Sequence, residues 1–259
     1  MLKGKKILVT RPEHQAEELC ELITGQGGTA ISLPTIKIIP PDDEKRLRKL
    51  LSCISNYAIG IFISQNAVDR TLHYLDKESH VLEQMELFAI GKSTARALRN
   101  AGFIPKFALQ SNSGTEELLD LPELQANRIK GVRIVIFRGH GGRELLADIL
   151  EERGASVDYA EVYQRVPVNY TRDDVAAIWK GKGPDYIVIT SESSLQFLLD
   201  MLSSNQRQQL LTIPVVVFGE RLADLLPDYG VTGQAICVGE MTNKGILDSI
   251  MQHAGTVNQ

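Results

Sequence analysis

The sequence has few cysteines, and they form no pattern. Its three cysteines in 259 residues are Cys20, Cys53 and Cys237. An odd and scattered set forms neither a disulfide framework nor a CxxC metal pair, so it predicts a reducing, cytoplasmic location. The five histidines show no HxxxH spacing. Because zinc sites usually place their ligands at regular spacings, the sequence predicts no bound metal.

Long apolar runs and an excess of positive charge are also lacking. The opening MLKGKKILVTRPE is basic, but its apolar run covers only residues 7–9. A secretory signal needs a longer apolar core, and no run approaches the length of a membrane-spanning helix. The formal net charge is −4, whereas nucleic-acid and membrane-surface binders are usually basic. We therefore expect a soluble cytoplasmic protein that binds neither nucleic acid nor a membrane.

The named nucleotide and nucleophile motifs are absent from the glycine-rich stretch IFRGHGGREL, residues 136–145. Completing GxGxxG from Gly139 would need a glycine at position 144, where Glu144 stands. The stretch also lacks the Gly-Lys-Ser/Thr ending of a P-loop. No GxSxG elbow occurs in the chain, so an α/β-hydrolase triad has no nucleophile. These absences argue against a nucleotide-dependent enzyme.

What the chain does have is a regular alternation of strand and helix patterns. Nine short runs read as buried strands: KILVT, TAISL, IGIFIS, ELFAIG, VRIVIFR, ASVDYAEVY, DYIVITS, VVVFG and AICVG. Segments with apolar residues at helical spacing lie between them, as at Ala16, Leu19, Leu22 and Ile23. This alternation predicts open, mostly parallel α/β sheets. We expect the C-terminal HAGTVNQ to be a frayed tail.

The chain also contains an internal repeat. Matching residues lie a constant distance apart in the sequence, the distance from position 11 to position 138, which we call the repeat offset. The matched residues include Arg11 with Arg138, Gly27 with Gly154, Pro40 with Pro167, and Ser64 with Ser191. One residue later in register, Gly91 matches Gly219. We interpret the series as an ancient duplication, with the alternative that any two α/β units look alike. The prolines predict extended crossings between units.

Four predicted strand-to-helix junctions carry small or hydroxyl residues. They are Ser64, residues 91–94, residues 139–142 and residues 191–194. Free backbone N–H groups at helix starts bind carboxylates or phosphates, and Arg11, Lys92, Arg138 and Arg143 would add positive charge. In doubly wound sheets these junctions lie where ligands bind. The alternative is that each is an ordinary helix cap.

Two side chains are candidates for proton transfer. His140 lies in the glycine-rich stretch, and Tyr163 ends a predicted strand just before a crossing. His140 could act as an acid or base, although a surface histidine without a role explains it better. Tyr163 is a phenol at a place where a cleft between domains would open, and packing alone explains it equally well.

Taken in order, several motifs resemble the uroporphyrinogen-III synthase family over most of the chain. They are ILVTRP, SLPTIKI, FISQNAV, FAIGKSTARAL, RGHGGRELLADILEERGA, VYQRV and VITSESSL. The resemblance implies two doubly wound, flavodoxin-like parallel α/β domains joined by a two-stranded β linker. It places residues 1–36 and 169–259 in one discontinuous domain and residues 39–165 in the other. The linker crossings would be residues 37–38 and 166–168.

The reaction that this resemblance implies belongs to haem biosynthesis. Hydroxymethylbilane, a linear tetrapyrrole bearing many carboxylates, is cyclised to uroporphyrinogen III with loss of water and inversion of ring D. The substrate also cyclises unaided, but to the uninverted isomer. The protein must therefore supply mainly geometry, and we expect a monomer that needs neither metal nor cofactor.

The resemblance also implies site residues. Tyr163 matches the family's cleft tyrosine, a candidate general acid, while Thr94, Ser64 and Ser191 match hydroxyl residues of the cleft. The full candidate set for substrate binding is Arg11, Ser64, Gly91, Ser93, Thr94, Arg138, Gly139, Gly141, Ser191 and Ser193. The chain departs from the pattern at Asn66, where some members have arginine, and at FGERL around Arg221, which lacks the hydroxyls of Ser93 and Thr94.

Two other functions are compatible with parts of this pattern. One is a non-catalytic two-domain protein that closes around a small anion or sugar. The other is a nucleotide-dependent oxidoreductase or transferase, against which Glu144 and the missing P-loop count.

Overall fold

The computed structural model describes residues 2–108, 115–142 and 144–257. The chain divides into two compact units. Unit 1 comprises Met1–Lys37 and Val166–Gln259, and unit 2 comprises Ile38–Arg165. Both changes of unit fall inside strands that neighbour each other, β3 (Ile36–Ile39) and β8 (Ser156–Pro167).

The described residues form eleven strands and twelve α-helices. The remaining strands are β1 (Lys6–Val9), β2 (Thr29–Ser32), β4 (Ile59–Phe62), β5 (Glu86–Ala89), β6 (Phe107–Ala108), β7 (Arg133–Gly139), β9 (Tyr186–Ile189), β10 (Val215–Val217) and β11 (Ala235–Cys237). The helices are α1 (Glu13–Gly25), α2 (Glu44–Leu51), α3 (Gln65–Leu75), α4 (Lys92–Asn100), α5 (Thr115–Leu119), α6 (Ala126–Ile129), α7 (Leu145–Glu152), α8 (Arg172–Ile178), α9 (Glu192–Met201), α10 (Ser204–Leu210), α11 (Glu220–Leu225) and α12 (Asn243–Val257). Short 3₁₀ turns cover Ile54–Asn56, Asp76–Gln84, Pro122–Leu124 and Leu226–Tyr229.

The unit 1 sheet is parallel throughout, with strand order β2-β1-β9-β10-β11. Numbered along the chain within the unit, this is the order 2-1-3-4-5 of flavodoxin-like folds. The sheet combines two strands from the start of the chain with three from its end. A parallel sheet is covered by helices on both faces, and its central strands β1, β9 and β10 are accordingly buried nearly throughout.

The unit 2 sheet has the order β3-β8-β7-β4-β5-β6, parallel from β8 to β6. At the repeat offset, its strands β7 and β8 are the counterparts of β1 and β2, and β4 is the counterpart of β9. Matched in this way, β8-β7-β4-β5-β6 repeats the order of the unit 1 sheet. The two copies of the repeat have therefore exchanged halves, each unit taking its first two parallel strands from one copy and the next three from the other.

Two apolar clusters pack in each unit. In unit 1, one surrounds Leu8, Ile187 and Leu195, and the other surrounds Ile7, Leu19 and Val188. Alternate residues of β1 thus enter different clusters, as expected for a strand covered on both faces. Full burial of each such side chain contributes about 1.5–3 kcal/mol. The prediction of doubly wound parallel sheets joined through a two-stranded β linker is confirmed.

Some elements differ from expectation. Ala16, Leu19 and Ile23 of α1 are buried as the helical spacing predicts, whereas Leu22 is only half-buried. The prediction of a frayed C-terminal tail is wrong for residues 253–257, because α12 continues through them. Ile250 and Ala254 anchor that helix in the unit 1 core. Among the helices of the described ranges, none is long and apolar enough to cross a membrane.

Candidate active site

The carboxyl ends of the unit 2 strands bring several predicted residues to one edge of the sheet. Gly139 ends β7, Ser64 follows β4, and Gly91 follows β5. Tyr163 pairs with Gly139 but lies within β8, which continues to Pro167, so the prediction that Tyr163 ends its strand is wrong. Since these strands are neighbours in the order β8-β7-β4-β5, the four residues occur along one edge. The step from β7 to β4 is the topological switch point of the sheet, where ligands of such folds bind.

A bulge in β8 sets the direction of Tyr163. Arg138 pairs with Glu161, but the next residue, Gly139, pairs with Tyr163, so Val162 is the extra residue. Strict alternation would place Tyr163 on the face of Val157 and Tyr159. The bulge instead puts Val162 and Tyr163 in one core cluster, and both are fully buried. Bulges commonly re-aim a side chain in this way beside functional sites.

Gly139 makes room for the tyrosine ring. A Cβ atom at position 139 would stand 2.6 Å from Cε2 and 2.7 Å from Cζ of Tyr163. Real Cβ atoms do not approach a ring so closely, so only glycine fits while the ring keeps its place. The backbone adds a second tie, because the His140 N–H donates to the Tyr163 carbonyl over 2.7 Å.

The Tyr163 hydroxyl has two polar neighbours. Its oxygen is 3.0 Å from Ser64 Oγ, and the Arg165 Nη2 donates to it over 2.8 Å. Ser64 is also the N-cap of α3, accepting from the Ala67 N–H over 3.1 Å. Ser64 was predicted, and Arg165 was missed. The available signal was its place two residues after Tyr163 in the same strand.

Arg138 is packed inside unit 2 rather than displayed at its surface. It is 4% exposed, and its guanidinium carbon lies 4.5 Å from the centre of the Tyr159 ring. A Cβ on Gly142 would stand 2.8 Å from its Nη2, so the guanidinium packs directly against the glycine-rich loop. Burial raises the pKa of the Tyr159 phenol, and the Arg138 cation opposes that shift. A role for Arg138 in substrate binding stays a prediction.

The glycine-rich loop holds a carboxylate of the chain itself. The Gly141 N–H donates to Glu161 Oε1 over 3.2 Å, and His140 Nδ1 lies 3.0 Å from Glu161 Oε2. The side chains of His140 and Glu161 also line a cavity of about 360 Å³ in unit 2. Tyr163 does not line this cavity. The Gly141 amide thus donates to a carboxylate of the chain itself, and substrate binding by Gly139 and Gly141 stays a prediction. Arg143 lies outside the described residues.

The start of α4 differs from the other helix starts. Gly91 at the N-cap has φ of +90°, a conformation open mainly to glycine, and no side-chain cap. Lys92 is exposed and Ser93 half-buried. Thr94 is 1% exposed, and its hydroxyl donates to the Ile90 carbonyl over 2.7 Å. The first N–H groups of α4 therefore have no side-chain cap, and the Thr94 hydroxyl is engaged within the helix. Substrate binding by Gly91, Ser93 and Thr94 stays a prediction.

In unit 1 the predicted residues take structural positions. Ser191 caps α9 by accepting from the Ser194 N–H over 3.2 Å, and Ser193 is exposed. Arg11 donates to Asn243 and Gln15 and lies 5.5 Å from the Phe218 ring centre. The cap alternative thus accounts for the hydroxyls of Ser64 and Ser191. Arg221 is exposed in the first turn of α11.

A buried hydroxyl network at the unit 1 switch point was missed. The Thr10 hydroxyl donates to the Val188 carbonyl over 2.7 Å. Because a hydroxyl has one proton, Ser194 must donate to Thr10 across their 2.9 Å, and Thr35 to Ser194 across 2.7 Å. The counterparts in unit 2, at the repeat offset, are Phe137, Ala67 and Val162, all fully buried. One unit thus closes its switch point with hydroxyls and the other with apolar side chains.

Replacing Ser194 with alanine, the residue found at its unit 2 counterpart, is expected to lower the free energy of unfolding by about 1–3 kcal/mol. The change leaves the buried Thr10 and Thr35 hydroxyls without their shared partner. Urea unfolding measures the loss. The exposed neighbour provides the control, since Ser193→Ala should change the value by less than about 0.5 kcal/mol. Equal stabilities of the two variants would contradict a structural role for the network.

Comparison with known proteins gives one family. Residues 17–247 match the family model described as uroporphyrinogen-III synthase HemD. The chain is 36% identical over 228 residues to the uroporphyrinogen-III synthase of Escherichia coli (strain K12), which covers 86% of this chain and 91% of that protein. It is 35% identical over 227 residues to the protein of the same name from Salmonella typhimurium (strain LT2), with the same coverage of 86% and 91%.

Solved structures agree in fold. A mutant uroporphyrinogen III synthase from the extremely thermophilic bacterium Thermus thermophilus matches with a TM-score of 0.66 at 16% identity, over 98% of this chain and 100% of that one. The uroporphyrinogen-III synthetase of Helicobacter pylori 26695 matches with a TM-score of 0.65 at 16% identity, over 96% and 99%. At such identities the likeness establishes the two-domain α/β architecture.

Proposed function

The chain belongs to the uroporphyrinogen-III synthase family, and we propose that it cyclises hydroxymethylbilane to uroporphyrinogen III at the strand ends of unit 2. The reaction loses water, inverts ring D and serves haem biosynthesis. One observation carries the assignment of the site. It is the phenol of Tyr163, held between Ser64 and Arg165 at the switch point of the sheet.

The first chemical step needs a proton donor. The hydroxymethyl C–O bond of the substrate breaks as a pyrrole nitrogen donates its electron pair, which leaves an N-protonated azafulvene cation. Hydroxide is a poor leaving group, so a proton must reach the departing oxygen, and we assign its donation to the Tyr163 phenol. The ring that attacks later loses one proton, which balances the one that Tyr163 gives. Loss of water therefore needs no nucleophile of the protein.

The start of α4 is the proposed contact for a substrate carboxylate. Its Gly91 cap leaves the first N–H groups without a side-chain acceptor, and no acidic residue lies in the first turn. The exposed Lys92 adds positive charge. A helix start of this kind attracts a carboxylate through its N–H groups and its dipole. Among the junctions, it fits this role better than Ser64 or Ser191, whose own hydroxyls fill part of each start.

Orientation is the main service that the protein must provide. Spontaneous closure gives the uninverted isomer, so the enzyme must hold the chain where only the spiro route to ring inversion is reachable. Positioning of this kind is worth several kcal/mol of the barrier in well-oriented reactions, about 7–11 at the upper limit. Carboxylate contacts at the strand ends and a fixed proton donor supply it without a resident cofactor.

The proposal includes a cytoplasmic monomer that works without metal or cofactor. Tyr163, Ser64, Arg165 and the α4 start all lie in unit 2, and the three scattered cysteines fit a reducing compartment. In residues 2–108, 115–142 and 144–257, no cluster of three or more His, Cys, Asp and Glu side chains could hold a metal ion.

Isomer analysis of the product tests the function. The purified chain is incubated with hydroxymethylbilane, and the porphyrins obtained after oxidation are separated by chromatography. We expect the type III isomer to dominate and to form faster than in an incubation without protein. Type I product at the spontaneous rate would instead indicate the alternative, a protein that binds a small anion without catalysis.

A further inference from the structure

Arg165 contacts Tyr163, and the chemistry proposed above gives this arginine no role. Its Nη2 lies 2.8 Å from the Tyr163 hydroxyl oxygen, and its guanidinium carbon lies 5.2 Å from the centre of the Tyr163 ring. The residue itself is exposed, unlike the tyrosine that it covers. In the part of the chain that the structure describes, no carboxylate oxygen lies within 4.0 Å of its guanidinium nitrogens. Its polar contact is therefore with the phenol rather than with an acid.

The donors and acceptors of Arg165, Ser64 and Tyr163 determine what the contact between Arg165 and the phenol does. A guanidinium only donates, so the Tyr163 oxygen must accept from Arg165. When Ser64 also donates to that oxygen, both of its acceptor sites are filled, and the phenol proton must point to a third group. When the phenol then gives up its proton, Arg165 and Ser64 already donate to the phenolate. Hydrogen bonds to a charged group are about twice as strong as neutral ones, so both contacts strengthen as the proton leaves.

The duplicated half of the chain shows that the two side chains occur together. At the repeat offset, Tyr163 corresponds to Ile36 and Arg165 to Ile38, while Ser64 corresponds to Ser191. The serine is present in both copies because it caps a helix in both. The tyrosine and the arginine occur in one copy only, and both are isoleucine in the other.

We infer that Arg165 is a positioning residue for Tyr163, one that directs the phenol proton towards the substrate and stabilises the phenolate left behind. The inference rests on the proposed function. It differs from a role in holding a substrate carboxylate, which an exposed guanidinium could also perform. Stabilisation that arises only as the proton transfers lowers kcat when it is removed, whereas loss of a carboxylate contact raises KM.

Steady-state kinetics of two variants separates these roles. Arg165→Met keeps the aliphatic stem and removes the donors, and Arg165→Lys restores the charge and a donor. For Arg165→Met we expect kcat to fall about tenfold while KM stays within about twofold, because a hydrogen bond to a developing charge is lost. Arg165→Lys should recover most of that loss, and both variants should still form the type III isomer. A rise in KM with unchanged kcat would overturn the inference.

A double variant provides the sharper test. If Arg165 acts through the phenol, Arg165→Met should lower kcat no further in a Tyr163→Phe background. An undiminished tenfold effect in that background would overturn the inference. Arg207→Met is the matched control, since it alters another arginine, in unit 1, and should leave kcat and KM unchanged. Urea unfolding of each variant separates loss of function from loss of folding.

The outcomes also distinguish this inference from the function on which it rests. Type I product from the wild-type chain would overturn the proposed function and the inference with it. Wild-type turnover by Arg165→Met, in a chain that forms the type III isomer and is slowed by Tyr163→Phe, would overturn the inference alone.

Discussion

Replacing Tyr163 with phenylalanine is expected to lower kcat about a hundredfold while the product remains the type III isomer. General acid catalysis contributes about 10²–10⁴-fold, and phenylalanine removes the only proton that this side chain can give. The ring and its packing against Gly139 are retained. Because orientation of the substrate decides which isomer forms, removal of the acid should slow the loss of water without redirecting closure. Single-turnover kinetics and chromatography of the porphyrin isomers measure the two effects.

The stability of this variant should change little. Ser64 keeps its cap contact with the Ala67 N–H, and the exposed Arg165 can bind water in place of the phenol. Tyr229→Phe is a matched control, since it also removes a phenol hydrogen bond, the one to Glu192 in unit 1. That control should turn over at the wild-type rate. Wild-type turnover by Tyr163→Phe itself would remove the assigned role of the phenol.

Replacing Gly139 with alanine is expected to have the second large effect, because it adds a methyl group to β7 against the Tyr163 ring. In Gly139→Ala, the new Cβ would stand 2.6 Å from Tyr163, so ring and strand must separate. Overpacking of this kind lowers the free energy of unfolding by about 1–3 kcal/mol. It also displaces the phenol from Ser64, and misplacement of a catalytic group by about 1 Å can cost 10²-fold in rate. Urea unfolding and turnover measure the two losses.

Two further variants control for the general effect of losing a glycine. Gly239→Ala adds a methyl group where the structure has no heavy atom within 4 Å, and φ there is not positive, so stability and turnover should stay at wild-type values. Shortening the partner should relieve the clash, so Gly139→Ala should cost much less stability in a Tyr163→Ala background than in the wild type. If Gly139→Ala kept both wild-type stability and wild-type turnover, the close packing of Gly139 and Tyr163 would be refuted.

Much of the fold could be predicted because its signals are local or periodic. Short β-branched runs between amphipathic segments indicated parallel sheets, and the constant shift from Arg11 to Arg138 indicated a duplication. The exchange of halves has no local signal, since it depends on whether β1 pairs with β4 or with β9. Pairing of such distant strands is decided by how apolar faces pack in three dimensions, so it entered the prediction through the family resemblance alone. The two-residue strand β6 is too short to have a periodicity.

The site was less accessible to prediction for reasons that can be named. Ser64, Gly139 and Tyr163 could be selected by type and position, and the structure places them at one edge of the sheet. The bulge at Val162 arises from the pairing of β7 with β8, so the sequence of β8 alone does not reveal it. The bulge turns Tyr163 to the face of the sheet on which it contacts Ser64. Arg138 and Arg165 have the same side chain, yet one is buried against Tyr159 and the other covers Tyr163. A sequence does not distinguish such partners.

The exchange of halves also affects how the chain can fold during synthesis. β1 pairs on one side with β2 and on the other with β9. Lys6 of β1 and Asp185, the residue before β9, are 179 positions apart in the sequence, so β9 leaves the ribosome much later than β1. Unit 2 is continuous and can fold as soon as residue 165 has emerged. Until β9 has been synthesised, the edge of the apolar strand β1 that pairs with β9 stays unpaired, and an unpaired strand edge favours aggregation. Strand β1 is thus translated before unit 2 but reaches its native surroundings only after unit 2 has emerged.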